Sequence, residues 1–72
     1  MITSLDRELA RNIAKIVPEE IFITSIFSIL DTEELRSNML KYITENNNLN
    51  RGKLLIKAVE LCEVAGRLGV ME

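Results

Sequence analysis

Large apolar residues return every three to four positions along most of this chain, which is the spacing of amphipathic helices. In the first segment Leu5, Leu9, Ile13, Ile16 and Val17 form a stripe, with Ala10 and Ala14 at its margin. Thr3 or Ser4 can cap it, Asp6 and Glu8 fall in its first turns, and a helix over 4–17 is expected. Opposite the stripe stand Arg7, Arg11 and Lys15 at spacings of four. Charge rows on exposed helix faces are ordinary, so this ridge reads first as a solvated face. Its functional reading is a docking surface for an acidic partner or a phosphate backbone.

The second segment, PEEIFITSIFSIL over 18–30, is the most apolar and holds both phenylalanines. Its isoleucines favour a strand, and with period two Ile21, Ile23, Phe27 and Ile29 alternate with only Ser25 interrupting. With period 3.6, Phe22, Ile23, Ile26, Phe27, Ile29 and Leu30 fall on one arc of roughly 160°. Thr24, Ser25 and Ser28 then lie opposite, with Ile21 among them. Pro18 suits a first helical position, and Glu19 and Glu20 suit the positive end of a helix dipole, so a helix is expected. Its polar side carries no charge beyond the first turn. That places it at the centre of a bundle, as the hub on which the other helices pack.

A third helix is expected over 32–46. Asp31 can cap it with Glu34 three residues on, a capping-box spacing. Leu35, Met39, Tyr42 and Ile43 form its buried stripe, Leu40 flanks it, and Glu33, Ser37, Lys41 and Glu45 face water. Asn46, Asn47 and Asn48 end it, because asparagine tolerates turn geometry. Leu49 is expected to tuck back onto the core. Asn50 can cap the last helix, expected over 51–68 with Gly69 as terminator. Leu54, Leu55, Ala58, Val59, Leu61, Cys62, Ala65 and Leu68 cover one half of it. Lys53, Lys57, Glu60, Glu63 and Arg67 take the other half, with Ile56 exposed among them. Ala58, Cys62 and Gly66 stand at i, i+4 and i+8, a small-residue column that lets a neighbouring helix approach closely. The second helix of the same chain is the preferred neighbour, and a symmetry mate is the other.

Composition narrows the function classes. With 72 residues there is room for one domain, and a domain this small is marginally stable alone, so oligomerisation is a natural way to gain core. The net charge of −2 does not suggest a polyanion binder. No histidine is present, which removes histidine-based triads and cysteine–histidine zinc sites, and Cys62 has no second cysteine to pair with. That lone cysteine, in an apolar stripe, reads as a buried structural thiol in a reducing cytoplasmic setting. Neither GxxxxGK[ST] nor GxGxxG occurs, and the acidic residues are scattered over exposed faces. No apolar run reaches the roughly 18 residues of a membrane span, and the N-terminus has no signal-peptide core. The expectation is a non-enzymatic protein without metal or cofactor.

Two functional readings follow. The first is a protein–protein interaction module, self-associating through helix packing, with Phe22, Ile23 and Phe27 of the second helix and Ile56, Ala58, Cys62 and Gly66 of the last as candidate partner-binding residues. The run of capped helices ending in ELCEVAGRLG resembles death-fold adaptor domains in texture, without a motif that carries residue roles over. The alternative is a helix-turn-helix DNA-binding regulator, with Arg51, Lys53 and Lys57 entering a groove. Against it, the linker is longer than the roughly three or four residues usual there, and Glu60 and Glu63 share the recognition face. The fold expected is all-α: one compact four-helix bundle over 1–72, with the apolar second helix at its centre.

Overall fold

Side-chain caps open three of the four helices in the computed structural model, which describes residues 3–66. The described residues form four α-helices and no strands: α1 Ser4–Ile16, α2 Glu20–Ile29, α3 Glu33–Thr44 and α4 Arg51–Val64. The radius of gyration is 11.7 Å, close to the ~11 Å of a compact chain of this length.

Thr3 caps α1 through a full capping box, its hydroxyl accepting from the Asp6 N–H at 3.1 Å while Asp6 Oδ2 accepts from the Thr3 N–H at 3.2 Å. Helix α1 stops one residue earlier than expected. Val17 is already extended at φ −133°, ψ 98°, because the proline ring that follows disfavours helical geometry there. Pro18 itself is not the first helical residue. Glu19 is the extended N-cap of α2, at φ −73°, ψ 123°, so the helix opens two residues past the proline. Glu19 offers no side-chain capping bond, and only its carbonyl begins the helix, accepting from Ile23 N–H at 3.2 Å.

The cap of α3 is Thr32 rather than Asp31. Its hydroxyl accepts from the Leu35 N–H at 3.2 Å, so the expected pairing of Asp31 with Glu34 is one residue out of register. The helix ends at Thr44, with Glu45 as C-cap. Asn50 caps α4 as expected, accepting from the Lys53 N–H at 3.0 Å. The far end of α4 is a correction. Gly66, read from the sequence as part of a small-residue helix face, adopts φ +75° and turns the chain out of the helix two residues after Val64. The expected terminator Gly69 and the stripe residue Leu68 lie outside the described residues.

In α2 the helical period wins over the alternating one. Phe22 and Ile26, with Leu30 at the C-cap, are buried; Ile23, Phe27 and Ile29 are half-buried; Ile21, Thr24, Ser25 and Ser28 are exposed. The exposed hydroxyls are tied back to their own helix, Thr24 to the Glu20 carbonyl at 3.0 Å and Ser25 to that of Ile21 at 2.9 Å.

Burial is shared among all four helices. Leu9 and Ile13 come from α1, Leu35, Met39 and Ile43 from α3, and Leu54, Ala58 and Cys62 from α4. Each large side chain fully buried this way contributes ~1.5–3 kcal/mol of transfer free energy. Helix α1 packs most extensively on α3, and α4 lies against α3 and α2. Arg51 meets Glu19 at 2.8 Å at the start of both α4 and α2, and Cys62 meets the Ile29 carbonyl near their ends, so these two helices run in the same direction. Leu49 packs against the core from the linker.

Candidate interaction surface

Helix α4 presents more apolar surface than its neighbours cover. Leu54, Ala58 and Cys62 point into the core, which turns the residues between them outward. Ile56 is 69% exposed, Val64 82% and Leu55 41%. Leu55 belongs by sequence to the covered half. It sits at the edge of an apolar arc wider than α2 and α3 can cover, and so reaches solvent. Leu55, Ile56 and Val59 line a shallow groove of about 460 Å³ closed at one side by Glu60 and Glu63. Beside it lies a smaller depression of about 140 Å³ between Tyr42, Lys53, Ile56 and Lys57.

The charges around this face are arranged unevenly. Lys57 pairs with Glu60 at 3.2 Å and stands 4.9 Å over the Tyr42 ring. Arg51 is drawn away toward α2 by Glu19 and stacks 5.0 Å from the Phe22 ring centroid. Lys53 donates to the Asn48 carbonyl at 3.0 Å but has no carboxylate partner among the described residues, and Glu63 has no cation.

A second groove, of about 520 Å³, opens between α1 and α2 and is lined by Arg7, Ala10, Ile23, Thr24 and Phe27. Its floor is the Asp6–Arg36 pair. Arg36 donates Nε–H to the Leu30 carbonyl at 2.6 Å, one terminal nitrogen to the Phe27 carbonyl at 3.3 Å, and the other to Asp6 at 3.3 Å. Its plane also lies 4.9 Å from the Phe27 ring centroid. One side chain of α3 thus satisfies the last carbonyls of α2 and joins them to the first turn of α1. Helix α2 has no cation in its own last turn, and Arg36 supplies one. The Thr3 backbone N–H holds the Asp6 carboxyl below the ordinary aspartate range; desolvation opposes this, and Arg36 adds to the lowering.

The sequence-derived candidates are divided between interior and surface. Phe22, Ala58 and Cys62 are buried within the chain, the Cys62 thiol donating to the Ile29 carbonyl at 3.1 Å. The small-residue column around Cys62 therefore has α2 of the same chain as its neighbour. Ile23 and Phe27 are half-buried at the rim of the α1–α2 groove, Ile56 is exposed, and Gly66 lies in the terminal turn. Arg7, Arg11 and Lys15 are exposed and make no ion pair among the described residues. Arg36 escaped sequence reasoning, since an arginine in a helical first turn looks like any surface charge. The Thr3-x-x-Asp6 box was the legible half of that contact.

Among the described residues no group of three or more histidine, cysteine, aspartate or glutamate side chains is placed to hold a metal, and no helix is long and apolar enough to cross a membrane. No family model, curated protein or solved structure matches this chain.

Proposed function

We propose that this protein is a small non-enzymatic interaction module that self-associates by packing helix on helix, its four helices arranged as a bundle with the apolar α2 at its centre. The observation that carries the reading is the outer face of α4. Ile56, Leu55 and Val64 remain in water although Leu54, Ala58 and Cys62 already fill that helix's share of the core. Leu55 and Ile56 share their groove with Val59, Glu60 and Glu63, and apolar side chains grouped in this way beside charge have the anatomy of a docking surface. The buried thiol of Cys62 suits a reducing cytoplasmic setting. Binding to nucleic acid is disfavoured by the engagement of Arg51 with Glu19 and of Lys57 with Glu60, which leaves few free cations on α4 for phosphate.

Absolute mass by light scattering across a concentration series tests the proposal. A dimer or larger species at micromolar concentration supports it. A monomer throughout the series overturns self-association and leaves the α4 face to a different protein.

A further inference from the structure

Helix α4 is charged against its own dipole. Helix α1 has Asp6 in its first turn and Lys15 in its last; α3 has Glu33 and Glu34 first and Lys41 last. Helix α4 has no acid in its first turn and no base in its last. Arg51 and Lys53 stand at its positive end, and Glu60 and Glu63 toward its negative end. Arg51 is accounted for by Glu19, and Glu60 by Lys57. Lys53 donates to the Asn48 carbonyl, but neither it nor Glu63 has a charged partner among the described residues, so no opposite charge there offsets their unfavourable placement.

The two residues lie about 15 Å apart along the helix and equally far from position 58, near its middle. A two-fold axis through that middle reverses the helix and brings the Lys53 end of one copy to the Glu63 end of the other. The same operation lays Ile56 and Val59 of one copy across those of its mate. Gly52 lies on the same outward side. It has no positive φ, and a Cβ there would meet only the Asn50 side-chain oxygen, at 3.4 Å. The chain's own packing does not call for a glycine at that position, whereas a second helix approaching closely there does.

We propose that the self-association seam is α4 against α4 of a second copy, antiparallel, with Ile56 and Val59 at its centre, Gly52 at either end and Lys53 of each copy paired with Glu63 of the other. This rests on the self-association reading above and assigns its surface. The pattern that opposes the dipole of a single helix becomes complementary charge between two.

Sedimentation equilibrium at low salt on the full chain tests it with Lys53→Glu, Glu63→Lys, the two combined, and Ile56→Glu. Each single charge change puts like charges together twice in the symmetric pair and is expected to weaken the dimer about tenfold. The combined variant is expected to return to within about threefold of wild type. Ile56→Glu is expected to abolish the dimer. Both charge changes agree with the helix dipole, so circular dichroism should show the fold retained in each. A dimer indifferent to all four variants overturns the α4 seam and leaves self-association standing. Single variants that weaken the dimer without recovery in the combined one overturn the antiparallel pairing. A wild type that stays monomeric overturns both proposals.

Discussion

The Arg36 guanidinium meets the Asp6 carboxylate at 3.3 Å, joining α3 to α1 across thirty positions of sequence. The two groups do more together than neutralise each other. Asp6 closes the capping box of α1, and Arg36 closes the carbonyl end of α2, so three helix ends meet at one contact.

Replacing Arg36 by methionine keeps the aliphatic stem and removes every donor. The Leu30 and Phe27 carbonyls then lose their charged partner, and Asp6 loses its cation. Because Arg36 remains partly in water, at 24% side-chain exposure, the expected cost is about 2 kcal/mol rather than the sum of three charged hydrogen bonds. That corresponds to a fall in Tm of roughly 10 °C. Arg36→Lys should recover less than half, since one ammonium cannot span acceptors on two helices and a loop. Full stability in the lysine variant would show that charge alone, not the guanidinium fork, holds this junction.

Asp6 makes stability depend on acid in a defined direction. Its folded pKa lies below the ordinary value of about 3.9, chiefly through the Thr3 N–H and further through Arg36. A carboxyl with a depressed folded pKa binds its proton more readily when unfolded. Its contribution is therefore complete above about pH 4 and is lost as pH falls through the lower folded value. Denaturant melts of wild type and Asp6→Asn should differ most near neutrality and converge as pH falls through the lowered folded value. A difference that stays constant over that range would place the effect in packing rather than in ionisation.

The assignment of α2 can be tested on two isoleucines five residues apart. Ile26 is fully buried and Ile21 is 81% exposed. Ile26→Ala should cost about 3 kcal/mol, and Ile21→Ala should change stability by less than about 0.5 kcal/mol. The alternating pattern puts Ile21 on the buried side with Ile23 and Phe27 and Ile26 on the other, so a large loss at Ile21 with little at Ile26 would restore the strand reading.

What the sequence made legible was periodic. The apolar faces of α1, α2 and α3 follow from residue spacing, since a helix displays its side chains at fixed angles whatever it packs against. Arg36 follows no period, and its role depends on which helix end folding brings beside it. The shift from Asp31 to Thr32 at the start of α3 has a related cause. Both residues are good caps, and backbone geometry chose between them. On the α4 surface, Ile56 was legible as an exception to its charged neighbours. Leu55 was not, because its exposure depends on how far α2 and α3 reach around the helix.

Two glycines, Gly52 in the first turn of α4 and Gly66 just past its end, should respond to alanine with opposite signs. Gly66 sits at φ +75°, where a Cβ crowds the following carbonyl, although nothing else lies within 4 Å of it. Gly66→Ala should therefore cost about 1 kcal/mol through backbone strain alone. Gly52 is helical with no such φ, and a Cβ there stands 3.4 Å from the Asn50 side-chain oxygen, an ordinary contact. Gly52→Ala lowers the entropy of the unfolded chain and favours the helix, so it should raise stability by up to about 1 kcal/mol. Urea melts at low protein concentration, where self-association does not contribute, measure both on one scale. A loss at Gly52 equal to that at Gly66 would mean that the Asn50 cap cannot yield to the added methyl, and that the first turn of α4 needs its glycine for the fold itself.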